Sequence, residues 1–288
     1  MKKKLLDKRY IEENIFKFLM LLSLFLSIGS LVVIVGTVLI KGLPALNIGM
    51  LTRVPEGGFY LGKEGGILNA ILGSIYLAGG ATLLAVLISL PIALYINVYR
   101  KKTSRLAAAV RFSFDVLWGV PSIVYGAFGF TIMLFFGLPA SLLGGMIAVA
   151  FLEIPIMTRA MDEVVRMVPE ELKEASYALG ATKLETAFKV VTRQTLPGML
   201  TALLIAFGRG IGDAASVLFT AGFTDRLPSS LFKPVATLPL AIFFQLGTPF
   251  PEVQARAYAS ALVLVIMILF VSFISRLSIK RYSRHIIK

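Results

Sequence analysis

Between Asp115 and Glu153 the chain runs for 37 residues without a charge. As a single helix that stretch would measure roughly 55 Å, far more than the ~30 Å of hydrocarbon in a bilayer. Its middle carries Gly137-Leu138-Pro139-Ala140, a turn signal, so it splits into two spans joined by a tight hairpin. Four further uncharged runs accompany it: Phe18–Ile40, Gly65–Tyr99 with the helix proper near 69–97, Gln194–Thr224 broken only by Arg209 and Asp213, and Ala257–Ser275. The expected total is six spans. With 57% of residues hydrophobic and 16% charged, no water-soluble globule could hide this much apolar surface. Phe18–Ile40 exceeds the roughly 7–15 apolar residues of a secretory signal, so it reads as a retained helix.

The fold class expected is therefore an all-α integral membrane protein with six transmembrane helices. A segment 1–17 precedes the six-span domain 18–276, and a basic tail 277–288 follows it. Of the 29 Lys and Arg residues, 22 fall in 1–17, 100–112, 159–193 and 276–288. Basic residues stay on the cytoplasmic side, which puts both termini and the 159–193 loop in the cytoplasm. Arg100-Lys101-Lys102 and Lys280-Arg281 then act as anchors beside anionic headgroups. The net charge of +13 thus has a topological explanation, and nucleic acid is not implied as a partner. The chain has no cysteine, which excludes disulfides, thiolate metal sites and cysteine nucleophiles. Its one histidine, His285, lies near the C-terminus, which excludes histidine-ligated haem, a histidine proton relay and a Ser-His protease within the membrane.

The 159–193 loop reads as structured. Pro169 falls at a first helical position, Glu170 and Glu171 suit the positive end of the helix dipole, and Leu172, Ala175 and Leu179 recur at helical spacing up to Gly180. A second short helix follows through Thr182–Phe188. Four glutamates (Glu170, Glu171, Glu174, Glu185) would be repelled by an anionic surface, so the pair projects as a knob rather than lying on the headgroups.

Glu174-Ala175-Ser176, three residues and then Gly180 resemble the EAA loop of permease subunits in ABC importers. Further similarities run from about 65 to 276: Gly65-Gly66-Ile67, Val120-Pro121-Ser122-Ile123-Val124-Tyr125-Gly126, Gly208-Arg209-Gly210-Ile211-Gly212-Asp213-Ala214, Leu218-Phe219-Thr220-Ala221-Gly222 and Thr237-Leu238-Pro239. Together they look like the PstA-type permease subunit of phosphate-specific ABC importers. The family usually has glutamate at the position of Asp213, alanine at that of Ser176, and an aliphatic-x-Leu-Pro exit where this chain has Val190-Val191-Thr192-Arg193. The resemblance implies a type I importer permease (MetI-like) fold without catalytic apparatus. Glu170, Glu171, Leu172, Glu174, Ala175 and Gly180 would couple the chain to a cytoplasmic ATPase. Implied partners are a homologous C-type permease, two ATPase copies, an extracytoplasmic phosphate-binding protein and membrane lipid. It implies no cofactor in this chain, because ATP and Mg bind the ATPase.

Arg209 is notable on physical grounds alone. An arginine near the centre of a span costs about 2.5–3.5 kcal/mol on insertion scales, so it should face the bundle interior or a wet cavity. Asp213, four residues on, would lie one turn away on the same face, within pairing distance. The pair is expected to line a translocation path, with Arg209 offering its planar donor fork to an oxyanion and Asp213 neutralising it when the path is empty. A purely structural ion pair is the alternative. Ser122 is a further candidate contact. Glu153 is expected in the cytoplasmic third of its span, within reach of water, in a structural role or in a gating pair with a loop arginine such as Arg159. Gly57-x4-Gly62-Lys63 superficially matches a P-loop, but ends in Glu64 rather than a hydroxyl residue and is rejected. The proline-rich loop 225–256 should contain a short or re-entrant helix. Two other functions remain: an ABC permease for another oxyanion such as sulfate or molybdate, and a secondary ion-coupled transporter, which should show two similar halves and intramembrane carboxylates near the midplane.

Overall fold

The computed structural model describes residues 2–56, 64–101 and 103–282, and these are almost wholly helical. The rejected P-loop-like segment, Lys102, His285 and the tail beyond Tyr282 lie outside the described residues. Helix α1 (Lys2–Gly42) contains the first apolar run. A short α2 (Ile48–Thr52), capped by the Asn47 side chain at 2.7 Å, leads to β1 (Pro55–Glu56) and β2 (Glu64–Gly65), a two-residue antiparallel ribbon. Helix α3 (Leu68–Leu94) then crosses, passes through Pro91 and ends in a widened π turn, Tyr95–Tyr99. Next come α4 (Arg105–Trp118), α5 (Ser122–Phe135), α6 (Leu142–Arg166), α7 (Glu170–Ala178), α8 (Lys183–Glu185), α9 (Thr192–Ile211), α10 (Leu238–Leu246) and α11 (Pro251–Tyr282).

Among the described residues five segments are long and apolar enough to cross a membrane, and the bent pair α4–α5 makes a sixth if it counts as one span. The expected third span is therefore corrected. It is not one helix entering from Val116, because the chain turns by 100° between Trp118 and Ser122. Pro121 cannot donate to the ladder and biases its neighbour away from helical geometry, so it stands outside α5 as its N-cap. The 14 residues of α5 reach only about 21 Å, too short to span alone.

The bundle is centred on α3, α6 and α9. Small residues let these backbones approach: a Cβ on Gly145 would stand 2.7 Å from the Leu77 side chain and 2.9 Å from Ala221. At one end, Ala85, Leu94, Met157, Val165, Val191 and Met199 form a core of α3, α6 and α9. At the other end, Met50, Ile67, Leu238, Ala241 and Ala259 join α2, α3, α10 and α11. Helix α10 is the short helix expected in loop 225–256; Thr237 caps it, and the Leu238 amide donates to Ser74 at 2.8 Å. In contrast, α1 leaves its apolar side chains from Tyr10 to Val33 exposed and touches the bundle through α11.

Candidate functional site

The fifth span ends earlier than its apolar run. Helix α9 stops at Ile211, and residues 213–224 fold back as a series of turns rather than continuing upward. Gly208, Gly210 and Gly212 weaken the last turn, since each lacks a side chain to stabilise helical geometry. The Asp213 carboxylate supplies the competing structure by accepting the Ser216 amide at 2.8 Å and the Ser216 hydroxyl. Irregular backbone at membrane depth is tolerated only when it is buried in protein or lines a cavity. The first condition is met, since Val217 and Ala221 pack into the central core, while Arg209 at the helix end is exposed in this chain.

The expected Arg209–Asp213 pair is corrected accordingly. Asp213 leaves the helix before it can share a face with Arg209, and among the described residues no ion pair joins them. Asp213 is buried and anchors the turn, whereas Arg209 projects alone from the last turn of α9. The turn rests on α5: a Cβ on Gly126 would lie 2.7 Å from the Ser216 carbonyl oxygen and 2.9 Å from that of Ala215. Ser122, partly exposed, starts α5 one turn before Gly126, at the positive dipole end of a broken helix that no side chain caps. Tyr125 fixes the break by donating its hydroxyl to the Leu117 carbonyl at 2.8 Å. The site thus comprises the end of α9, the Asp213–Ser216 turn and the start of α5. Ser216 and Gly126 are not among the candidate site residues of the sequence, although an acid followed three residues later by serine is a local turn pattern visible there.

Glu153 is also corrected. It is 0% exposed, in the middle of α6, and does not reach water in this chain. Thr82 of α3 donates to its Oε1 at 3.2 Å, and its Oε2 has no partner among the described residues. Its carboxylate occupies the space left by Gly210, one residue from Arg209. Arg159 is engaged elsewhere, with Asp115 at 3.0 Å and Glu163 at 3.1 Å, so the pair considered with Glu153 is not formed. An amide at this position could still accept from Thr82 and can bring no charge to an apolar wall. Glu153→Gln is therefore expected to melt at or above the wild-type temperature in detergent, while Glu153→Lys, an unpaired cation in the same space, should fail to accumulate.

At the far end of α6, the loop fulfils its expected outline with two adjustments. Pro169 is the N-cap of α7 rather than its first helical residue. The helix ends in a Schellman motif: Ala181 N–H donates to Ser176 O at 3.1 Å, Gly180 N–H to Tyr177 O at 2.9 Å, and Gly180 sits at φ +83°. Thr182 and Glu185 then form a capping box, and the second helix continues through a π turn (Thr186–Val191) straight into α9. The face of α7 turned inward carries Leu172, Lys173 and Ser176, not Leu172, Ala175 and Leu179. Ser176, where the family usually has alanine, meets the Thr186 hydroxyl at 2.9 Å and clasps the two helices. Glu170, Glu171, Glu174, Ala175 and Gly180 are exposed, as is Leu179 at 90%. Burial, with Glu170 and Tyr99 nearby, pushes the Tyr177 phenol above its ordinary pKa. No group of three His, Cys, Asp or Glu residues among the described residues is arranged to hold a metal.

A family model described as "Binding-protein-dependent transport system inner membrane component" matches residues 85–288. The chain is 33% identical over 244 residues to a phosphate transport system permease protein PstA of Xylella fastidiosa, covering 83% of each. It is 32% identical over 244 residues to the PstA of Haemophilus influenzae, covering 85% of each. Among solved structures it resembles a chain of the MetNI methionine ABC transporter in inward facing conformations, with TM-score 0.62 and 17% identity, over 75% of this chain and 95% of that one. That likeness is one of fold.

Proposed function

Because this chain belongs to the family of binding-protein-dependent transport system inner membrane components, we propose that it is the permease subunit of an ATP-driven importer of inorganic phosphate. The observation that carries the substrate is the similarity to phosphate transport permeases along four-fifths of both chains, exemplified by 83% coverage of each. The site supports the same reading. Arg209 projects from a helix end where it can present a permanently charged, planar donor set, and the start of α5, which no side chain caps, turns its positive dipole end toward the same region. An anion passing there meets positive groups on two elements. Asp213 shapes the passage by holding the turn rather than by neutralising Arg209.

In this reading the chain forms half of a path, the other half coming from a homologous C-type permease against which the exposed flank of α1 packs. Residues 18–276 make up the permease domain, flanked by cytoplasmic segments 1–17 and 277–288. Both termini and the 159–193 loop face the cytoplasm, where two ATPase copies bind ATP and Mg. Their closure pushes on α7 through Glu170, Glu171, Glu174, Ala175 and the apolar tip at Leu179, with Leu172 anchoring the helix to the core. Because the second helix of the loop is continuous with α9, a displacement there is transmitted along the rod that ends at Arg209. An extracytoplasmic phosphate-binding protein delivers the anion at the face formed by α10 and the α1–α3 connection.

The test is uptake by the assembled importer in vesicles without an ion gradient. Phosphate should accumulate only with ATP, and excess sulfate should leave it unchanged. Strong competition by sulfate would assign a different oxyanion; accumulation without ATP would remove the chain from ATP-driven transport altogether.

A further inference from the structure

On the side proposed as cytoplasmic, a cavity of about 160 Å³ opens where the widened turn Tyr95–Tyr99, α4, α6 and α7 meet. It is lined by Ile96, Asn97, Arg100, Arg111, Arg166 and Lys173. Four of these six are cations and none is an acid. The carboxylates of the region stand behind the cations instead. Asp162, 1% exposed, accepts Arg111 Nε at 2.8 Å and Nη2 at 3.0 Å, as well as Asn97 Nδ2 at 2.7 Å. Arg111 Nη2 also donates to Asn97 Oδ1 at 3.1 Å. Lys173, 5% exposed, donates to the Asn97 carbonyl at 3.3 Å and to Glu170 at 3.1 Å. These bonds hold the lysine and one guanidinium in place before any ligand arrives. The remaining two guanidiniums are less committed: Arg100 lies over the Tyr95 ring at 5.2 Å, and Arg166 reaches Glu163 only at 3.8 Å.

Cations are placed around one small cavity at some energetic cost, because their like charges repel. An anion with several oxygens offsets that repulsion and can accept from several planar forks together. We propose that this cavity is a binding site for a phosphate-type oxyanion, supplied either as free orthophosphate or as the headgroup phosphate of an anionic lipid. The ligand bridges Lys173 on α7 to Arg111 on α4 and to Arg166 at the end of α6, so its occupancy ties the loop to the bundle. Binding itself is independent of what the importer carries, whereas an effect on coupling rests on the reading of α7 as the element that meets the ATPase.

Hydrogen–deuterium exchange on the assembled importer tests this. In phosphatidylcholine nanodiscs, millimolar orthophosphate should slow exchange in 96–111 and 166–178 if the free anion is the ligand; phosphatidylglycerol, with no phosphate added, should do so if the lipid is. Arg100→Gln and Arg166→Gln, both at accessible side chains, should each raise the half-effective concentration about tenfold, the loss of one charge-assisted contact. The protection should persist in Arg209→Gln, which separates this cavity from the translocation path. Exchange of the wild-type protein that neither orthophosphate nor phosphatidylglycerol changes overturns the proposal, as does protection that both cavity variants keep or that Arg209→Gln removes.

Discussion

Arg209→Gln, in an importer that still assembles with its partners, is expected to lower phosphate uptake about a hundredfold. A hydrogen bond to a charged group contributes ~1.5–3 kcal/mol, and the guanidinium offers two such bonds together with a full charge. Loss of about 3 kcal/mol at the crest of the passage corresponds to slightly more than two powers of ten in rate. The measurement is initial uptake into vesicles, with ATP hydrolysis followed in parallel to confirm that the complex is intact. Near-normal uptake would remove Arg209 from the path. The double variant is equally informative. An ion pair would make Asp213→Asn rescue Arg209→Gln, because the orphaned carboxylate disappears. The geometry instead gives the two residues separate tasks, one facing the anion and one holding Ser216, so their losses should multiply.

Gly180→Val should uncouple the ATPase from transport, with membrane insertion and assembly unchanged. Nothing lies within 4 Å of a Cβ built on Gly180, so added volume is harmless there. Its φ of +83° is another matter. A side chain in left-handed geometry costs roughly 1–2 kcal/mol, and β-branching sharpens the clash, so the Schellman turn should open in a large share of molecules. That turn sets the angle between α7 and the helix leading into α9. The expected result is that ATP consumed per phosphate imported rises several-fold to about tenfold, read from the two rates in the same vesicles. Gly180→Asn is the control, since asparagine tolerates this conformation, and it should stay coupled. Equal uncoupling in both variants would mean that the glycine is needed for space against the ATPase rather than for its backbone.

The loop and the path differed in how far local chemistry specified them. Pro169, the first-turn glutamates and Gly180 act within a few residues, and the structure has each within a position of where local chemistry puts it; the Thr182–Glu185 capping box that opens the second helix is equally local. The Arg209 region obeyed no such locality. From Gln194 to Thr224 the apolar pattern is continuous across the real end of the helix at Ile211, because both the helix and the turns that follow it are buried and need apolar residues alike. Pattern therefore carries no boundary, and helical spacing alone puts Asp213 on a face that the folded chain lacks. Glu153 was misplaced for a similar reason: nothing near it in the chain reveals Thr82 on α3 or the gap left by Gly210 on α9.

What the sequence alone determined is the solvent in which this chain folds, its all-helical class, the helix punctuation of the loop, and its membership among importer permeases. Hydropathy and capping are short-range quantities, settled by each residue with its immediate neighbours and with lipid or water. Only the tertiary structure decided where the third and fifth spans break, which partner Asp213 takes, and how four cations come to surround one small cavity. Those outcomes depend on contacts between segments far apart in the chain, such as Gly126 with Ser216 or Arg111 with Asp162, where close packing and the need to satisfy every buried polar group outweigh local preference.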